Sequence, residues 1–117
     1  MESILTSIKK LLGIVEECND FDIDIIMHIN SAFFDLVQMG VGPKDGFSIQ
    51  DDLSKWSDFL EDATKYESVK TYVFLKVKTV FDPPASATVL EAYIRRIAEC
   101  EWRLNVQAES GGVVNDT

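Results

Sequence analysis

The stretch "VKTYVFLKVKTVFDPP", residues 69–84, decides the fold, because its β-branched valines read as strand while their spacing reads as helix. Tyr66, Val69, Val73, Val77 and Val80 fall on one face at 3.6-residue spacing, with Phe74 and Phe81 beside them. Thr64 and Glu67 stand in the Thr-x-x-Glu order of a capping box, which predicts the helix start. Lys70, Lys76 and Lys78 lie largely outside the valine stripe and are expected to face water or a neighbouring subunit. Pro83 forces Asp82 out of helical geometry, and Pro83 with Pro84 makes a stiff corner over 82–85.

Past the corner, Thr88 and Glu91 repeat the capping-box order, and a last helix is predicted to run to about Gln107. Leu90, Tyr93 or Ile94, Ile97, Cys100 and Leu104 recur at intervals of three and four and form its packing stripe. On its other side Arg95, Arg96, Glu99 and Arg103 are spaced for ion pairs. Upstream, Ile4, Leu5, Ile8, Leu11 and Leu12 make a short amphipathic helix over 3–12 that Gly13 closes. A longer helix over 22–39 carries Ile25, Ile26, Ile29, Phe33, Leu36 and Val37, with Asp20 and Asp22 at its start and Gly40 at its end.

Between these helices "GVGPKDGFSIQDD" packs three glycines and a proline into one irregular loop, either a plain connector or an interaction element. Trp56, Phe59 and Leu60 then form one helical turn that pins the loop to the core. The expected fold is all-α: a compact bundle of about four helices with an irregular loop and a short turn. A single domain spans 1–109, and 110–117 is expected to be a flexible tail.

The 117 residues carry a net charge of −9, which argues against nucleic-acid binding, since phosphate affinity comes largely from lysines and arginines. The charge is uneven. Residues 16–62 hold twelve acids and two bases, a net of −10, whereas 65–103 hold seven bases and five acids, a net of +2. The blander reading is a solvated acidic surface. In a ring, the same asymmetry lets neighbours meet basic side to acidic side.

No apolar run reaches the length of a membrane span, and the lysines of the first residues follow the apolar positions, so a soluble, unsecreted chain is expected. A membrane-surface role for the first helix is weakened by Glu16 and Glu17 beside its two lysines. Cys18 and Cys100 lack metal-site spacing and read as reduced packing residues. His28, the single histidine, reads as structural.

Asp20, Asp22 and Asp24 alternate as in a calcium loop, but the glycine and the terminal glutamate of an EF-hand are missing. "GVGPKDG" lacks the Gly-Lys-Ser/Thr of a phosphate loop. No catalytic, cofactor-binding or metal-binding cluster emerges, so no enzyme activity and no cofactor is expected. Trp102, next to Arg103, is expected to pack, and Trp56, Phe59, Pro83, Pro84 and Trp102 are the candidate structural anchors. Lys44, Asp45, Asp51 and Asp52 are the candidate interface residues of the loop.

The order "MHINSAFFDLVQMGVGP", "GFSI", "W-x-x-FL", "VKTYVFLKVKTVFDPP" and "VLEAYIRRIAECEWRLNVQ" resembles the head-tail connector proteins of long-tailed bacteriophages and prophages, also catalogued as DNA-packaging proteins. The resemblance covers about residues 3–109 and is strongest at "FDPP" and "EWRLN". It implies a small helical adaptor that assembles as a ring, commonly dodecameric, beneath the portal. Such a ring extends the DNA channel, lets DNA pass without specific binding, and joins the next connector or the tail. It further implies a virion protein held in the host cytoplasm before assembly, with no membrane partner. The competing class is a small acidic regulatory protein of the antitoxin or DNA-mimic type.

Overall fold

The computed structural model describes residues 2–116, with side chains described from Glu2 to Ala108. Five helices follow in order: α1 (Ile4–Leu12), α2 (Asp22–Gln38), α3 (Trp56–Phe59), α4 (Tyr66–Phe81) and α5 (Ala87–Asp116), with a 3-10 turn at Ala63–Lys65 before α4. Among the described residues there is no strand, only an isolated bridge between Ser3 and Lys55. The chain is mostly helical, at 66%, and is an all-α bundle.

Helix α4 lies at the centre and packs against α1, α2 and α5. Val69, Val73 and Val77 of the expected stripe are buried, and so are Tyr72 and Leu75, which the stripe omitted. Together they cover roughly half the circumference of the helix at about 100° per residue. A helix covered on several sides loses the clean polar face that makes periodicity legible. Val80 is exposed instead of buried, since in the last turn it is Phe81 that meets Phe21 and His28 of the α2 start, ring edge to ring face.

The lysines also depart from the expected arrangement. Lys76 points into the α4–α2 contact, with Nζ 3.0 Å from Asp35 and 5.7 Å from the centre of the Tyr72 ring. Its charge is matched where it enters the packing, which is how a helix can carry a lysine on a covered face. Lys78 pairs with Asp82 at the helix end, 2.8 Å away, and Lys70 lies 3.7 Å from Glu67.

Neither capping box forms. Asp62 caps the 3-10 turn: its Oδ1 accepts from the Thr64 amide at 3.0 Å and from the Thr64 hydroxyl at 2.6 Å. Those two bonds, the hydroxyl first, hold the Asp62 carboxyl below its ordinary pKa. With Thr64 used as a donor, the chain enters α4 through the 3-10 turn and without a side-chain cap. At α5 the cap is Ser86, whose Oγ accepts from the Val89 amide at 3.4 Å. A serine two residues before Thr88 reaches the same exposed amides earlier.

Helix α1 matches its expected bounds, with Ser3 Oγ accepting from the Thr6 amide and Gly13 closing it at φ 82°. It is inserted into the bundle and does not lie on the surface. Ile4 through Lys9 are all buried, and Lys9, 3% exposed, sits 2.9 Å from Asp22 Oδ1 and donates to the Glu16 carbonyl at 3.0 Å. A lysine held this way is committed to the fold, which removes half the basic charge of the supposed membrane-facing surface. Lys10 pairs with Glu2 at the exposed side.

In α5, Tyr93 is half-buried and Ile94 exposed, while Ile97, Cys100 and Leu104 pack in or against the core. The helix is continuous to Asp116, past the end expected near Gln107. The tail expected at 110–117 falls where side chains lie outside the described residues. Of the ion pairs expected along α5, Arg103 and Glu99 meet at 2.8 Å.

The α4–α5 contact is fastened by Tyr72, fully buried, whose hydroxyl donates to Glu101 Oε2 at 2.9 Å. Burial first, and this hydrogen bond second, push the phenol well above its ordinary pKa. The folded state thus holds the neutral phenol more firmly than the unfolded chain does. Its contribution is complete below a pH of about 10, the ordinary tyrosine value, and is lost as pH rises above it. Tyr72→Phe is expected to lose about 1 kcal/mol at neutral pH and to flatten the fall in stability above pH 10, both read from urea unfolding curves.

Candidate interaction surface

The surface around the irregular loop is built on an aromatic cluster. Phe33 of α2 stacks against Phe47 (5.0 Å between ring centres), Phe59 (4.6 Å) and Trp56 (6.1 Å), and Phe47 meets Phe59 at 5.2 Å. Trp56 and Phe59 are buried, and the Trp56 indole N–H donates to Ser7 Oγ at 3.2 Å. The Ile4 amide donates to the Ser54 carbonyl at 2.8 Å, so the loop exit is tied to α1.

Two further devices fix the loop. The Asn30 side chain donates to the Ile49 carbonyl at 3.0 Å and accepts from the Ile49 amide at 2.7 Å, closing a two-bond clamp on the backbone. Gly42 has φ 95°, and a Cβ there would lie 2.4 Å from the Phe59 ring. Only glycine satisfies both the left-handed backbone and that approach. Val41 and Ile49 are buried and Phe47 is half-buried, so the loop is a packed part of the fold.

The four loop residues singled out from the sequence are all exposed, but they do not form one site. Lys44 and Asp45 border a groove of about 400 Å3 between the loop and α2, walled by Phe34, Val37 and Phe47. Asp52 lies on a different depression, of about 300 Å3, with Glu2, Glu16 and Lys55. Asp51 turns back on its own backbone, accepting from the Leu53 amide at 2.9 Å. The separation arises because Ile49, held by Asn30, is drawn into the core between the two pairs of residues.

Of the candidate anchors, Pro83 is exposed and Pro84 half-buried at the α4–α5 corner, where Asp82 takes φ −147° and ψ 68°. Trp102 is corrected by the structure: it does not pack within the chain and is 68% exposed. Helix α5 meets α4 through Ile97, Cys100 and Leu104, and Trp102 lies away from that side. The sequence omitted the exposed apolar residues Ile23, Met27 and Phe34 of α2, which are 84%, 58% and 61% exposed. Their i, i+4, i+11 spacing was the available signal.

Cys18 and Cys100 are free thiols, and Cys100 belongs to the core. Among the described residues no group of three or more His, Cys, Asp and Glu side chains is placed to hold a metal, and no helix is long and apolar enough to cross a membrane.

The described surface thus combines a packed loop with exposed apolar residues of α2 and α5. Comparison with known families matches residues 4–111 to the phage connector proteins. The chain belongs to that family, the phage head-tail connectors, whose members are structural and non-enzymatic components of the virion that meet other head and tail proteins. No curated protein and no solved structure matches the chain.

Gly42→Ala is expected to cost about 3 kcal/mol, combining backbone strain with overlap on Phe59, measured as a lowered midpoint in chemical unfolding. Asn30→Ala is expected to raise hydrogen exchange at the Ile49 amide while leaving the α4 amides protected, because it unpairs the loop backbone alone.

Proposed function

We propose that this protein is a head-tail adaptor that assembles as a ring beneath the portal, extends the DNA channel and joins the filled head to the next connector or the tail. The observation that carries this reading is the family match across residues 4–111. A ring of the commonly dodecameric size fits the uneven charge, since a net of −10 over 16–62 and +2 over 65–103 gives each copy two unlike sides. The exposed acids Asp45, Asp51 and Asp52 face the lumen or a neighbouring subunit in this reading, and an acidic lumen lets DNA slide without holding it. Before assembly the protein resides in the host cytoplasm. Family membership favours this reading over a small acidic regulator.

Mixing the protein with a purified cognate portal ring tests it, with light scattering for mass and negative-stain imaging for shape. The expected outcome is a ring of copies stacked on the portal; a folded protein that leaves the portal bare at high micromolar concentration refutes the adaptor role. Replacing Asp45, Asp51 and Asp52 together by Asn is expected to impair ring closure or DNA retention in particles, while melting stays unchanged because all three side chains are exposed.

A further inference from the structure

A pocket of about 190 Å3 opens between α4 and α5, away from the irregular loop. Cys100 and Leu104, both buried, give it an apolar floor. Around that floor stand groups able to donate hydrogen bonds. Ser68 and Thr71, one turn apart on α4, bring hydroxyls, and Arg96 and Arg103, two turns apart on α5, bring guanidinium groups.

The charges at the pocket do not cancel. Glu67 on the rim is 86% exposed and has Lys70 3.7 Å away, while Arg103 is held by Glu99 at 2.8 Å. Arg96 also lines the pocket, is exposed, and makes no ion pair among the described residues. Three cations thus face two anions, a net of +1, and the unmatched charge is Arg96. Glu91 and Arg95, four residues apart on another side of α5, do not line the pocket.

These features together describe one kind of occupant. A guanidinium fork matches the two oxygens of a carboxylate, and one unmatched positive charge matches a singly charged group better than a phosphate. An apolar floor below the arginine suits an aliphatic stem. The volume falls below the roughly 300–1,000 Å3 of small-molecule sites, so the pocket has room for one side chain and not for a free metabolite.

We propose that the α4–α5 pocket receives a glutamate side chain of a partner protein, its carboxylate on Arg96 and its methylenes over Cys100 and Leu104. The Ser68 and Thr71 hydroxyls face the same carboxylate from α4. Family members meet other head and tail proteins, which supplies partners of this chemistry. The contact does not depend on ring formation, since it requires only an exposed glutamate on the partner.

Nuclear magnetic resonance titration of the full chain tests this, with acetyl-Ala-Glu-Ala-amide as the probe. The Arg96 side-chain N–H and the Thr71 and Cys100 amides are expected to shift saturably at about millimolar peptide, the strength of one small charge-assisted contact. The matching Gln peptide is expected to leave them unmoved. Arg96→Gln, at an exposed position, is expected to weaken the Glu peptide about tenfold, and Ser68→Ala about threefold. Melting curves check that both variants fold.

Glutarate and inorganic phosphate separate the sources and the classes of anion. Weaker binding of both than of the Glu peptide supports a protein side chain. Glutarate that binds as tightly as the peptide overturns the protein partner in favour of a free dicarboxylate, and phosphate that does so overturns the carboxylate. A Gln peptide that binds equally, or two folded variants that bind undiminished, overturns the pocket itself.

Discussion

The structure depends on the ridge of Val69, Val73 and Val77 on α4, buried against the neighbouring helices on more than one side. In a domain of this size one core must serve every element, and a central helix lets α1, α2 and α5 share it. Each of those valines contributes roughly 1.5–3 kcal/mol of burial, and none has room to move without opening a cavity beneath several helices at once. The polar groups that enter the same region come with partners: Lys76 with Asp35, and the Tyr72 hydroxyl with Glu101. Lys9 repeats the pattern at the far side of the bundle, matched by Asp22 and the Glu16 carbonyl. A buried charge without such partners would cost more than the packing around it returns.

From this core the irregular loop gains its shape. It has no regular hydrogen-bond pattern of its own, and so it borrows order from α2 through Asn30 and from the aromatic cluster through Phe47. Connector proteins act through surfaces, and a surface recognises well only when it is held in place before the partner arrives. The loop meets that condition while presenting Lys44, Asp45, Asp51 and Asp52 to solvent, in two separate places.

The exposed apolar residues of α2 and α5 are the other half of the same economy of surface. A monomer that worked alone would gain solubility by replacing Trp102 or Phe34 with polar residues, and nothing inside this chain requires either to be apolar. Their presence beside a strongly acidic surface fits a virion protein that meets other head and tail proteins.

Much of the fold was legible in the sequence. The bounds of α1 and α2, the helical character of the valine-rich stretch and the turn at Trp56 follow from periodicity, glycine stops and proline, which are local effects written in neighbouring residues. The family, too, was legible from the order of pieces along the chain. What the sequence misplaced were choices among nearby candidates: Asp62 over Thr64 and Ser86 over Thr88 as caps, and Trp102 outside the core. Each is settled by where another element lies, because an amide takes whichever oxygen arrives first and a side chain is buried only if a neighbour covers it. The sequence determined which segments become helices and how much charge they carry. The tertiary structure alone decided which helix stands at the centre, which lysines are matched inside, and how Ile49, drawn into the core, divides one acidic loop into two surfaces.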